Sequence, residues 1–591
     1  MRNAPNYQLK KKKAGVGMPS DVLRLKTLMF FLFLAGFAIM ARLFFLQVVS
    51  HDKWVALAGN QHNASLELSA DRGEIYMHDG DVDRYPLAIN REYQMVFVVP
   101  RDIVEKDTVA IELSSILGVD VGEIRDKLNR LDDPFEIIKK RLNDDEVARI
   151  KERRMKGVVL VPEKYRYYPA EELASQVIGF ASLGEKGGAL GYGIEASFDD
   201  QLRGRTGTLS QEKDASGRWI PLSDRLITHA ENGDSIILTL DRVIQYETEK
   251  ILKDSVERYQ ADRATAIVMD PQTGNILAMA STPQFDPNNY SKEEDYSIFL
   301  NHAVSSSYEP GSIMKPITMA IGIEAGKVSP ETEYVDTGAV AESGYTIRNA
   351  EGKTYGRSNM MKVLEQSINT GVIFVEKLVG NKLFGEYLKR FGFGEETGIA
   401  LPAELPGNLK NLKNERGTLN FFTASFGQGI TATPIQMVTA YSVLANGGRL
   451  LQPNIIDKVI HADGNEEKNE PREVRRVVSE ETSKMMGAML RSVVVNGHGK
   501  RADVPGYLVG GKTGTAQVAK SDAKGYEEGQ SIGSFVGYAP INNPQFVVLV
   551  KLDNPKNVEW AESSAAPTFG QIMKFLLEYA KVKPTEETMK R

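Results

Sequence analysis

At 591 residues, 42% hydrophobic and 25% charged, the chain is long enough for two or three globular domains, each with its own core. A formal net charge of -6 leaves no basic excess of the kind that neutralises phosphate backbones, so nucleic acid is not expected as a partner. Cysteine is absent, which excludes disulfides, thiolate metal sites, Fe–S clusters and every cysteine-nucleophile mechanism. The seven histidines include no HExxH and no pair at one-turn spacing, so no metal site is expected either.

The first element in chain order is an apolar run of 21 residues, Leu28 to Val48, interrupted only by Arg42 and Gln47. That length suits a transmembrane helix, and Arg42 stands close enough to its outer end to snorkel. Ahead of it, Arg2, Lys10, Lys11, Lys12, Lys13, Arg24 and Lys26 face the single acid Asp21, which predicts a cytoplasmic N-terminus. Residues 1–27 then form a short tail, 28–48 the span, and all that follows is exported. A cleaved signal peptide is the other reading, since Ala56-Leu57-Ala58 resembles a cleavage site; against it stand the length of the run and the charged HDKW that intervenes.

Residues 49–231 are rich in charge, with mixed short strands and helices, and show no catalytic spacing. They are expected to form a spacer or docking domain. After the turn signal ENGD, Ser235 to Leu240 reads as a strand and Asp241 opens a helical pattern, so a boundary is placed near 232. Beyond it, Thr265 to Pro271 and Asn275 to Ser281 flank Gln-Thr-Gly as strand, turn and strand; Gly533 to Pro540 and Gln545 to Asp553 flank INNP likewise. Between these pairs the chain is mainly helical: Thr433 is set to cap a helix, Pro434 to occupy its first position and Gly447 to stop it. An amphipathic helix follows from Ser564 to Val582, and 581–591 is a tail. Strands at both ends of 232–580 with helices between predict a sheet completed by distant segments.

Chemistry is concentrated in EPGSIMKPIT. Ser312 and Lys315 are three residues apart and share a face if a helix begins at Gly311. The helix dipole favours developing negative charge there, and burial can lower the lysine pKa until it serves as a base for the serine. Alone, Ser-x-x-Lys is a weak signal. Two further motifs follow in order, Ser367-Ile368-Asn369 and Lys512-Thr513-Gly514-Thr515. The ordered triple resembles the signature of penicillin-binding proteins and class A β-lactamases. In that setting Ser367 can relay a proton toward a leaving amine, Asn369 can hold a substrate amide, and Lys512 with Thr513 and Thr515 can bind a peptide carboxylate. Gly510, Gly511 and Gly514 suit a strand edge that another backbone approaches closely.

Similarity extends to DRGEIY (Asp71 to Tyr76), VPEKYRYYP (Val161 to Pro169), GIEASFDDQLRGRTG (Gly193 to Gly207), ASFGQGITATPIQM (Ala424 to Met437) and SFVGYAP (Ser534 to Pro540). All look like class B penicillin-binding proteins, over nearly the whole exported chain. Met77 and His78 depart from the pattern, where the family usually has an Asp-Arg pair. The resemblance implies an α+β protein: one N-terminal transmembrane helix, an elongated pedestal or dimerisation-like domain at 49–231, and a transpeptidase domain at 232–580 with an antiparallel sheet flanked by helices and an all-helical subdomain. It further implies a D,D-transpeptidase in which Ser312 attacks a D-Ala-D-Ala stem peptide and hands the acyl group to an amine. The backbone N–H groups of Ser312 and Thr515 would form the oxyanion hole. β-Lactams would acylate the same serine, with no cofactor needed.

A bifunctional class A enzyme is disfavoured because 50–230 lacks an EDxxF-type motif. The moderate length and direct GIEASFDD junction look more like the division-site FtsI type than the elongation type, which implies an FtsW-like lipid II polymerase and other divisome proteins as partners at the septum. A penicillin sensor and a catalytically silent scaffold are the competing functions.

Overall fold

The computed structural model describes residues 20–51, 53–54, 63–80, 82–133, 135–181, 191–212, 225–519 and 525–585. Most of the cationic N-terminus, Ala56-Leu57-Ala58 and the end of the C-terminal tail lie outside the described residues. The chain divides into two compact units, one of residues 1–69 with 206–230 and one of 70–205 with 231–591.

In the first unit, Ser20–Phe44 is an α-helix continued by a π-helical turn, Phe45–Val49. The stretch Val22–Val49 contains an 18-residue window of mean hydropathy 2.3, none of it buried, so it is long and apolar enough to cross a membrane. The helix begins before the apolar run predicted from Leu28, because nothing in Ser20 to Thr27 breaks a helix. A three-stranded antiparallel sheet, with Gly207–Glu212 between Asn63–Leu68 and Arg225–Thr228, completes this unit.

In the second unit, one sheet runs through both segments of sequence that composition separates. Its order is Glu466–Lys468, Ile456–Ile460, Ser235–Asp241, Ile75–Asp79, Val82–Val98, Glu136–Leu142, and Val158–Tyr167 pairs with the long strand Val82–Val98. Ser235–Asp241 lies parallel to Ile75–Asp79 and antiparallel to Ile456–Ile460. At the far side, helices Lys106–Leu117, Val121–Leu128 and Asp144–Arg153 close a small core of Val96, Val98, Leu113, Ile124 and Ile150.

The motifs DRGEIY, VPEKYRYYP and GIEASFDD meet in a buried ion network. Arg72 Nε donates to Glu195 at 2.8 Å and its Nη1 to Asp199 at 2.7 Å, while Arg166 Nε donates to Glu195 at 2.6 Å. Met77 is buried in the core and His78 pairs with Asp457 at 3.2 Å, so this chain uses the departing positions structurally.

The second sheet is antiparallel throughout, in the order Ile276–Thr282, Arg263–Met269, Phe546–Asp553, Tyr526–Ala539, Gly510–Ala519. Both faces are covered, which is why its strands read as continuous apolar runs. Along Phe546–Asp553, Val548, Val550 and Leu552 pack with helices Arg242–Tyr259 and Ala565–Tyr579, while Val547 and Leu549 enter the core shared with Lys315–Glu324 and Pro434–Ala445. Helices Met360–Glu365, Asn369–Val379, Asn381–Arg390 and Thr418–Ser425 build a helical subdomain beside the sheet. Thr433 makes a capping box with Gln436, with Pro434 at the helix start as expected.

Candidate active site

Ser312 does not lie on an α-helix. Gly311–Met314 is a 3-10 turn, and the α-helix begins at Lys315. Pro316 is the reason: it has no N–H to give to the Ser312 carbonyl, which accepts from the Lys315 N–H instead. Residues i and i+3 of a 3-10 turn eclipse, so Ser312 and Lys315 still share a face. The turn is anchored from both sides, by Gly311 N–H to the Gly427 carbonyl at 3.0 Å and by the Tyr441 hydroxyl to the Ile313 carbonyl at 2.8 Å.

Lys315 is 1% exposed and lies behind Ser312. Its Nζ donates to the Ser367 carbonyl and, at 3.1 Å, to the Ser367 hydroxyl. The hydrogen bonds that Lys315 Nζ makes are thus both to Ser367. Burial, together with the positive charge of Lys512, pushes the Lys315 pKa well below the usual lysine range. Ser367 has φ +54, a left-handed conformation unusual for a residue with a side chain, and it joins helix Met360–Glu365 to helix Asn369–Val379. Asn369 opens the second of these helices and gives its Nδ2 to the Arg348 carbonyl at 2.9 Å.

The third motif lies on Gly510–Ala519, the edge strand of the sheet. Lys512 is fully buried, its Nζ 3.1 Å from the Thr513 carbonyl, and burial pushes its pKa down to about 7, partly offset by Glu562. The Thr515 hydroxyl accepts from the Ala561 N–H at 3.1 Å and keeps its own proton to donate. The glycines here give room to the protein's own backbone and side chains. A Cβ on Gly514 would stand 3.0 Å from the Pro310 carbonyl oxygen and 2.8 Å from Ser534 Oγ, and one on Gly511 would enter the Phe535 ring.

A cavity of about 270 Å³ brings Ser312, Lys315, Ser367, Asn369, Thr513 and Thr515 onto one surface; Lys512 and Gly514 are not among its lining residues. Its mouth adds groups that no motif announces: Glu351, Lys353 and Tyr355 on one side, His498, Trp560 and Glu562 on the other. His498 Nδ1 is 3.0 Å from Glu562, bridging two loops. These residues carry no regular spacing, and only the fold assembles them.

The sequence from 264 to 574 matches the penicillin binding protein transpeptidase domain, and 67–238 matches the penicillin-binding protein dimerisation domain. The chain belongs to the class B penicillin-binding proteins. This penicillin-binding protein is 34% identical to stage V sporulation protein D of Bacillus subtilis, over 93% of its own length and 84% of that protein. It is 30% identical to a peptidoglycan D,D-transpeptidase FtsI homolog of Mesostigma viride, covering 95% of the one and 97% of the other. Among solved structures, penicillin-binding protein 3 of Mycobacterium tuberculosis in complex with aztreonam superposes with a TM-score of 0.68 at 27% identity, over 88% of this chain and 99% of that one. Its relatives include proteins named as peptidoglycan D,D-transpeptidases, and the expected class B architecture is the one observed.

Proposed function

We propose that the protein cross-links peptidoglycan stem peptides through an acyl-enzyme on Ser312. The observation that carries this reading is the placement of Lys315: it is buried, its pKa is pushed well below the usual lysine range, and its Nζ faces the carbonyl and hydroxyl of Ser367, which take both N–H donors of the neutral form. Its lone pair is then left for the Ser312 proton.

In this mechanism the Ser312 oxygen attacks the penultimate D-Ala carbonyl while Lys315 takes its proton. The oxyanion sits on the N–H groups of Ser312 and Thr515. The proton passes from Lys315 through the Ser367 hydroxyl to the departing D-Ala nitrogen, the C–N bond breaks, and the ester remains. An acceptor amine attacks that ester, loses its proton along the reverse route, and regenerates Ser312. Thr513, Thr515 and the partly charged Lys512 hold the terminal carboxylate, and Asn369 the substrate amide; Gly514 lets their strand pack against the serine turn. β-Lactams enter as donor mimics and stop at the ester. In this assignment 49–231 is the pedestal and 232–580 the catalytic domain, and the apolar helix is a single anchor with the catalytic part outside the cytoplasmic membrane.

Labelling of the full-length protein with a fluorescent penicillin, followed by intact mass, tests the chemistry. One-to-one acylation lost in Ser312→Ala and Lys315→Ala is expected; an unlabelled wild-type chain would sink it. Release of D-Ala from a pentapeptide donor, with acyl transfer to an added amine, separates an enzyme from a sensor or silent scaffold.

The cellular setting proposed is the division septum, beside an FtsW-like polymerase and other divisome proteins, which the 30% identity to an FtsI homolog supports. The 34% identity to a stage V sporulation protein favours a second setting, wall synthesis in spore formation. A fluorescent fusion at midcell of dividing cells supports the first. Fluorescence confined to developing spores supports the second, and an even side-wall distribution would favour an elongation role over both.

A further inference from the structure

Asp336 ends the short strand Glu333–Asp336 and is 2% exposed. Its Oδ1 accepts from the Thr370 hydroxyl at 2.7 Å and the Gly338 N–H at 2.9 Å, and its Oδ2 from the Tyr355 N–H at 2.7 Å. The Asn349 amide nitrogen lies 3.1 and 3.0 Å from the two oxygens. Around this carboxylate the chain ties two walls of the cavity together. One is the segment from Gly338 to Tyr355, which lines the cavity through Ala350, Glu351, Lys353 and Tyr355. The other is the start of helix Asn369–Val379, which carries the second motif.

The tie is made twice more at its edge. The Asn349 side-chain oxygen accepts from the Thr370 N–H at 3.1 Å, and the Arg348 carbonyl accepts from Asn369 Nδ2 at 2.9 Å. Thr370 cannot shift without breaking its bond to Asp336, because an ionised carboxylate can only accept and the hydroxyl proton must point to it. Tyr334 completes the set by placing its hydroxyl 3.2 Å from Thr370 Oγ1.

The two walls hold Ser367 and Glu351 at φ +54 and +55, neither of them glycine. Such backbone persists only where the surroundings over-determine it, and the bonds converging on Asp336 fix neighbours of both, Asn349 two residues before Glu351 and Thr370 three residues after Ser367.

We propose that Asp336 is a positioning residue for the acyl transfer, acting through Thr370 and Asn349 to fix Asn369 and Ser367 against Ser312 and Lys315. The inference rests on the serine mechanism above. Asp336 touches neither substrate nor nucleophile, and its replacement by Asn keeps one acceptor oxygen but sets an NH2 donor against donors that the other oxygen had satisfied.

The test is rapid-mixing acylation of the full-length protein in detergent by a fluorescent penicillin, resolved into a half-saturating concentration and a first-order acylation constant, with end-point stoichiometry reporting the folded fraction. A merely structural role lowers the stoichiometry but leaves the first-order constant of the labelled molecules at its wild-type value. The expected result for Asp336→Asn is a first-order constant reduced about 10- to 100-fold with stoichiometry near one. Thr370→Val, which removes one bond and leaves the carboxylate, is expected to give a smaller loss in the same sense. The double variant Asp336→Asn with Asn369→Ala should lose less than the two single losses combined, because part of the effect of Asp336 passes through Asn369.

A wild-type first-order constant in Asp336→Asn, or a fully additive loss in the double variant, overturns the proposal. If Asp336→Asn does not fold, Thr370→Val and Asn349→Ala carry the same comparison, and wild-type constants in both overturn it. An unlabelled wild-type chain overturns the serine mechanism first and this proposal with it; a labelled wild type beside an indifferent Asp336→Asn overturns this proposal alone.

Discussion

Lys315 and Lys512 share a dry environment, and the charge of Lys512 adds to burial in lowering the Lys315 pKa. In the proposed mechanism, acyl transfer needs Lys315 without its proton and Lys512 with one, to meet the substrate carboxylate. With Lys512 titrating at about 7, the alkaline limb of kcat/KM should begin near neutral pH. Lys512→Arg keeps its charge and should move that limb up and out of the neutral range, measured as acylation rate against pH; an unmoved limb would assign it to another group. Glu376 offers a separate test. It is fully buried on helix Asn369–Val379, and neither carboxylate oxygen has a hydrogen-bond partner among the described residues. Burial lifts it from 4.5 to about 7, so it takes up protons on folding, and stability falls as pH rises from 4.5 through 7. Glu376→Gln should match the wild type in acid and exceed it by about 3 kcal/mol above neutrality, read from unfolding curves across pH. Parallel curves at all pH values would mean the carboxyl is satisfied in solution.

At the scale of elements, the serine turn is held between an edge strand and a glycine loop. Gly427 has φ +80, and a Cβ there would collide with the carbonyl and N–H of Gly311. Gly427→Ala is expected to displace Ser312 by a fraction of an ångström or more and to lower the acylation rate about 100-fold, with a much smaller effect on end-point folding. Rate and stoichiometry measured together check this, and a wild-type rate would show that the turn can give way. The same close fit explains Gly514, whose missing Cβ lets the edge strand lie against Pro310 and Ile313.

Over the whole second unit, a sheet and an ion network bind segments far apart in sequence. Glu195 is fully buried between Arg72 and Arg166, and Tyr168 gives it a hydroxyl at 3.2 Å. Glu195→Ala would leave two guanidinium groups facing each other with their shared acceptor gone. The expected loss is about 3 to 5 kcal/mol, seen as a lowered thermal midpoint, with little change in the acylation constant of molecules that remain folded. A shift within that of a surface substitution would mean that water replaces the carboxylate.

Local chemistry was enough to determine several features from sequence alone. The apolar run predicted a helix able to cross a membrane, apolar stretches beside turn signals marked the strands, Asp241 and Thr433 marked helix starts, and the ordered motifs selected six of the residues that line one cavity, though not Lys512 and Gly514. Each depends on neighbours within a turn or a strand, so the signal is local. Tertiary structure alone decided that a single sheet joins strands from Ile75 to Lys468, that Lys315 turns to Ser367, and that Asp336, His498, Trp560 and Glu562 belong to the surroundings of the site. Those are contacts between residues far apart in the chain, each an ordinary side chain in an ordinary loop until the fold removes water and brings its partners within bonding distance.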